Sequence, residues 1–158
     1  MSGDVASPPS PAPKVYLIDD ELDILQILRD VVELSGLEVH CFSQADAFMK
    51  EIQCFEGNNI LILDLQMPKT DGIEVIRHLA KTENPPDLIL ISGQDSAVLS
   101  GAENLAVAHS LVVLGTLEKP LSITRLRSLL EPQAVIRGRR LRGNIKSTAD
   151  DYSAQELR

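Results

Sequence analysis

Tryptophan is absent, and aromatic side chains make up only 3% of the 158 residues. So few rings exclude base stacking as a main activity. Cysteine occurs twice, at Cys41 and Cys54, without the C-x-x-C spacing of a metal or thiol-redox site. Two thiols with no secretory signal point to a reducing cytosol and a cytoplasmic location. No apolar stretch approaches the roughly 18 residues of a membrane-spanning helix, so no membrane partner is expected. Basic charge is scarce over most of the chain. Residues 1–131 carry nine Lys/Arg against twenty Asp/Glu, which disfavours direct nucleic-acid binding by that body.

Short apolar runs are what the chain does have. Val15–Ile18, Leu37–Phe42, Ile60–Leu65, Leu88–Ser92 and Leu111–Leu117 read as strands, and the purest of them lack the alternation of a half-exposed sheet. Between them, apolar residues recur at steps of three and four: Ala45, Phe48, Ile52 and Phe55, then Ile73, Ile76 and Ala80, and finally Ile123, Leu126, Leu129 and Leu130. Gly36, Gly57-Asn58-Asn59 and Asn84-Pro85-Pro86 supply the breaks. Five strands alternating with five helices predict an α/β fold, a doubly wound parallel sheet with helices on both faces. For five strands the flavodoxin-like order 2-1-3-4-5 is expected. The domain spans 14–131, after a Pro-rich disordered leader over 1–13 and before a linker over 132–158.

That topology places ligands outside the carboxyl ends of the strands, at the switch point between the first and third. Asp19 and Asp20 follow the first run, Asp64 sits within the third, Ser92 ends the fourth and Lys119 follows the fifth. Taken alone, Asp19-Asp20-Glu21 reads as a helix start, Ser92 as a strand end and Lys119 as surface charge. Asp64 resists such a reading, because an ionised carboxylate closing Ile-Leu-Ile-Leu is costly without a counter-charge. Together the acids suit Mg²⁺, a hard cation held by one or two carboxylates plus phosphate and water. Asp64 is then a nucleophile toward phosphorus, with Lys119 and Ser92 as phosphoryl partners.

These residues resemble the receiver domain of two-component response regulators. The matching stretches are Val15–Glu21, Asp64–Gly72, Ile91-Ser92-Gly93 and Leu117-Glu118-Lys119-Pro120, and they cover roughly 14–131. The resemblance implies Asp64 as phosphoacceptor, Asp19, Asp20, Asp64 and the Gln66 backbone carbonyl at Mg²⁺, Ser92 and Lys119 as the switch pair, and a cis Lys119-Pro120 peptide. It implies a histidine kinase or phosphotransfer protein as donor and a covalent output domain as receiver of the signal. The chain departs from the pattern at Thr116, where receivers commonly carry an aromatic ring. Leu111–Pro120 and Tyr152–Arg158 are also similar to receivers joined to EAL-type cyclic-di-GMP phosphodiesterases, although the EAL catalytic residues are absent.

The basic cluster Arg137–Arg142 reads as part of a solvated linker, of a kind that suits homodimerisation, and Pro132 argues for a break or kink before it. Two rival functions share the chemistry in part. A Mg²⁺-dependent phosphatase of haloacid dehalogenase type wants a second Asp two residues past the nucleophile, where this chain has Gln66. A flavodoxin-like nucleotide binder wants Gly or hydroxyl residues after the first strand, where this chain has Asp-Asp-Glu. A serine or cysteine hydrolase has still less support, since His40, His78 and His109 stand beside no nucleophile motif.

Overall fold

A computed structural model of the protein describes residues 13–67, 72–93 and 96–142, the last ten as helix backbone. The expected leader, and the part of the expected linker beyond 142, fall outside these residues. Five strands and five helices alternate: β1 (Lys14–Ile18), α1 (Leu22–Leu34), β2 (Glu38–Phe42), α2 (Ala45–Glu51), β3 (Asn59–Asp64), α3 (Gly72–Ala80), β4 (Asp87–Ser92), α4 (Ser96–Ala108), β5 (Val113–Glu118) and α5 (Ile123–Arg142). All pairings are parallel and the sheet order is β2-β1-β3-β4-β5, as the alternation predicts. No helix among the described residues is long and apolar enough to cross a membrane.

The continuous apolar runs now have their explanation. Side chains along a strand point alternately to opposite faces. Val15, Leu17, Ile60, Ile62, Ile89 and Ile91 pack under α1 and α5 with Leu28, Val32, Leu126 and Leu130. Tyr16, Ile18, Leu61, Leu63, Leu88 and Leu90 face the opposite way and pack with Phe48, Ile76, Leu79 and Ala106 of α2, α3 and α4. A strand covered on both sides has no solvent face, so every position along it is apolar.

Turn chemistry ends the helices where the punctuation indicates. After α1, Gly36 adopts φ +80, its N–H bonds to the Glu33 carbonyl at 2.9 Å and Leu37 N–H reaches the Val32 carbonyl at 3.3 Å. This is a Schellman closure with Leu37 folded back into the core. The end of α4 repeats the device with Ser110 at φ 65 and Leu111 N–H on the Ala106 carbonyl at 2.9 Å. Leu111 is therefore a buried turn residue, and β5 begins two residues later than the apolar run suggests.

Three further expectations need correction. The periodicity through Phe55 overextends α2, which ends at Glu51. Ile52 is extended, and Phe55 enters the core from a loop, stacking edge-on to Tyr16. Asn84 holds that loop in place, its carboxamide nitrogen 3.1 Å from the Phe55 carbonyl oxygen and 3.2 Å from that of Gly57. Ile123, counted on the apolar face of the last helix, is exposed at its first residue. Of the break or kink expected at Pro132, the break does not occur: α5 continues to Arg142. A proline inside a helix deprives the carbonyl four residues back of its donor. That residue, Ser128, is exposed, so water can take the vacant acceptor.

Gly72 starts α3 hard against the loop that follows β3: a Cβ there would lie 2.8 Å from the Leu65 Cα and 3.3 Å from the Asp64 carbonyl oxygen. Backbone cannot swing aside as a side-chain tip can. Gly72→Ala is therefore expected to lower stability by about 1–3 kcal/mol, the usual range for overpacking, as read by urea unfolding.

Candidate functional site

The carboxyl edge of the sheet is zipped slightly past the strand ends. Asp19 N–H bonds to the Phe42 carbonyl at 3.1 Å, Leu65 N–H to Ile91 at 2.8 Å and Lys119 N–H to Ser92 at 2.9 Å. These bonds carry the order of the sheet into the loops, so side chains from β1, β3, β4 and β5 converge on one rim. The Lys119-Pro120 peptide is cis, as the resemblance implies.

At the centre is one ammonium group among three carboxylates. Lys119 Nζ lies 2.7 Å from Glu21 Oε1, 3.2 Å from Asp64 Oδ2 and 3.3 Å from Asp19 Oδ2. Asp19 and Asp64 are buried and Glu21 is exposed. Each buried acid has its other oxygen on a backbone amide two residues ahead: Glu21 N–H to Asp19 Oδ1 at 2.9 Å, and Gln66 N–H to Asp64 Oδ1 at 3.0 Å. The spacing is a local one, in which a short acidic side chain folds over its own loop.

Charge and burial pull against each other here. The Asp19 pKa is raised to about 6, chiefly by burial and in part by the nearby Asp64 charge, with the Glu21 amide and Lys119 opposing the shift. Burial disfavours the Lys119 ammonium, but its hydrogen bond to Glu21 and the charges of Asp19 and Asp64 outweigh this, and its pKa rises above the ordinary lysine value. The cation is therefore firmly charged, while Asp19 is ionised at a cost.

Asp19, Asp20 and Asp64 each offer an oxygen within 4.8 Å of the others. Asp19 Oδ2 is buried and accepts no hydrogen bond; Lys119 Nζ is near it but off the axis of one. An all-oxygen set with a buried, unbonded carboxylate oxygen fits a hard divalent cation such as Mg²⁺. Ser92 Oγ is the other buried polar atom without a partner among the described residues. Buried hydroxyls are normally bonded, so a missing acceptor is a reason to look for a ligand.

All the residues picked from the sequence lie at this rim except Thr116, which is half-buried within β5, its carbonyl 3.3 Å from Arg125 Nε. Two participants have no assigned role in the sequence reading. One is Glu21, the nearest acid to Lys119. The other is the Gln66 side chain, whose carboxamide oxygen accepts the Gly93 N–H at 2.7 Å. The acidic triplet gives a hint of the first. Nothing local announces the second, because it spans 27 residues of sequence.

Comparison with known proteins agrees with this geometry. The family described as the response regulator receiver domain matches residues 15–131. Response regulator protein TmoT of Ectopseudomonas mendocina is 38% identical over 79 residues, half of this chain and 36% of that protein. Transcriptional regulatory protein FixJ of Bradyrhizobium diazoefficiens is 25% identical over 141 residues, 89% of this chain and 65% of FixJ. The crystal structure of a response regulator from Colwellia psychrerythraea superimposes with TM-score 0.67 at 40% identity, covering 78% of this chain and 98% of that one. The match to TmoT spans only about a third of that relative's length, so what the rest of such proteins do is theirs.

Asp19 supplies a test of the electrostatics. Because its folded pKa of about 6 exceeds the ordinary 3.8, the folded state holds this proton more tightly than the unfolded chain. That stabilisation is complete below about pH 4 and is lost as pH rises through about 6. With metal removed by chelator, Asp19→Asn should be more stable than wild type at pH 7.5 by on the order of 2–3 kcal/mol, the equivalent of two pKa units. Urea unfolding between pH 4 and 7.5 should show the gap closing toward the acid end.

Proposed function

This chain belongs to the response regulator receiver domain family of two-component systems, and from that premise we propose that Asp64 accepts a phosphoryl group from a histidine kinase or phosphotransfer protein. An Asp64 carboxylate oxygen forms the new bond to phosphorus as the bond to the donor nitrogen breaks, and that nitrogen keeps the electron pair. The observation that carries this reading is the placement of Asp64. It is buried at the carboxyl end of β3, with one oxygen held by the Gln66 amide and the other beside Lys119.

Asp19, Asp20, Asp64 and the Gln66 backbone carbonyl would hold Mg²⁺, which when bound offsets the negative charge gathering on the transferring group. Lys119 pairs with a phosphoryl oxygen, and Ser92 donates its unsatisfied hydroxyl to another. A modification carrying about −1.5 to −2 charge recruits waiting donors and shifts the loops that bear them. The chain modifies its own carboxylate, so it works as a signalling module rather than as a turnover enzyme.

The signal passes to a covalent output domain. FixJ is named a transcriptional regulatory protein, and the relatives reported above lend no support to the EAL-type output suggested by residues 111–120 and 152–158. Conventional signalling through a rotating aromatic ring is not available to Thr116. The haloacid dehalogenase reading fails for want of an acid–base carboxylate, since the residue two past Asp64 is Gln66, with its carboxamide on Gly93.

Intact-mass analysis after incubation with a small acyl phosphate and Mg²⁺ tests the assignment. One added phosphoryl group is expected on wild type and none on Asp64→Asn; modification surviving in the variant would place the nucleophile elsewhere. Lys119→Ala should still accept the group while losing most of the accompanying amide shifts around Ser92. An unchanged shift pattern would remove Lys119 from the switch.

A further inference from the structure

The Gln66–Gly93 contact plays no part in the proposed transfer, yet it ties the segment after Asp64 to the end of β4. Gln66 makes two contacts at once: its backbone N–H steadies Asp64 Oδ1, and its side-chain oxygen takes the Gly93 N–H at 2.7 Å. Gly93 directly follows Ser92, whose buried hydroxyl has no acceptor among the described residues, and β4 pairs with β3 so that Ile91 lies opposite Asp64. The Gly93 amide and the Ser92 hydroxyl are therefore neighbouring donors at the carboxyl end of β4, beside the strand that ends in Asp64. One is vacant, and the other is occupied by an exposed side chain of the protein itself. The fit is close: a Cβ on Gly93 would collide with the Gln66 carboxamide oxygen, so the side chain at 93 decides whether Gln66 can sit there. Elsewhere at the rim Glu21 does the same for Lys119, offering an oxygen at 2.7 Å.

We propose that the Gln66 carboxamide oxygen is an internal placeholder for a phosphoryl oxygen: it holds the Gly93 amide in the unmodified protein and is displaced from it when Asp64 is phosphorylated. Gln66 thereby acts as a positioning residue that lowers the affinity of the site for the phosphoryl group and keeps Gly93 in its resting place. This inference rests on the assignment of Asp64 as phosphoacceptor. The exchange replaces a neutral acceptor by an anionic one, which forms the stronger hydrogen bond, so it runs forward once the group arrives. Removing the competitor returns the stabilisation of one neutral hydrogen bond to the ligand, about two- to tenfold in affinity.

The test uses beryllofluoride, which adds to a carboxylate as a phosphoryl stand-in, with the full chain at saturating Mg²⁺. Two variants remove the placeholder by different routes. Gln66→Ala deletes the acceptor while keeping the backbone carbonyl, and Gly93→Ala keeps the amide while pushing the carboxamide away. Both should bind beryllofluoride about two- to tenfold more tightly than wild type by calorimetric titration. In Gln66→Ala the Gly93 amide proton resonance should move upfield before ligand is added and return downfield with it. Equal or weaker binding in both variants, or a Gly93 amide unmoved by the substitution, would overturn the placeholder while leaving the phosphoacceptor intact. Failure of wild type to bind beryllofluoride, with Asp64 also unmodified by acyl phosphate, would overturn both.

Discussion

One lysine ammonium among three carboxylates is the constraint on which the arrangement depends. Lys119 reaches Asp19, Glu21 and Asp64 from the end of β5, whereas the two buried acids come from the ends of β1 and β3. Without that cation, two adjacent buried carboxylates would face each other in a poorly solvated rim, and such charges are tolerated only when paired. The balance is incomplete even with it, as the raised pKa of Asp19 records. A site left short of positive charge in its resting state is well suited to taking up a divalent ion. With that ion in place it can accept an anion that would otherwise be repelled.

The sheet delivers these groups because its two faces have been given to the core. Alternate residues of β1, β3 and β4 feed opposite helix layers, leaving only the strand ends free to carry polar chemistry. The layers are joined by the sheet and by loops at its rims. Gly72 seats α3 against the Asp64 loop, and the Gln66 carboxamide ties that loop to Gly93 after β4. A change in charge at Asp64 would act first on the groups in contact with it and its loop: the Gln66 amide, Lys119 and, through Gln66, Gly93. These are local contacts, each with a named partner.

Most of the architecture was legible in the sequence, for identifiable reasons. Runs such as Ile60–Leu63 carry no polar position because both their faces are buried, and that signature survives without coordinates. The acids, the serine and the lysine were legible because strand order places all strand ends on one edge. What escaped prediction depended on contacts distant in sequence. Phe55 keeps helical spacing from Phe48 but packs from a loop pinned by Asn84, 29 residues away. Leu111 looks like the start of a strand and is instead the fold-back residue of a helix cap. Pro132 carries a strong local prohibition, which an exposed face of α5 relaxes.

The unbroken course of α5 has a mechanical consequence. Leu126 and Leu130 anchor its first turns in the core, while the backbone from Pro132 to Arg142 continues as helix. At 1.5 Å per residue that stretch adds about 15 Å to the helix. A tilt of about five degrees at the anchored end would sweep the far end through roughly 1.3 Å over such a length. A stiff arm carries angular information outward that a flexible tether would dissipate.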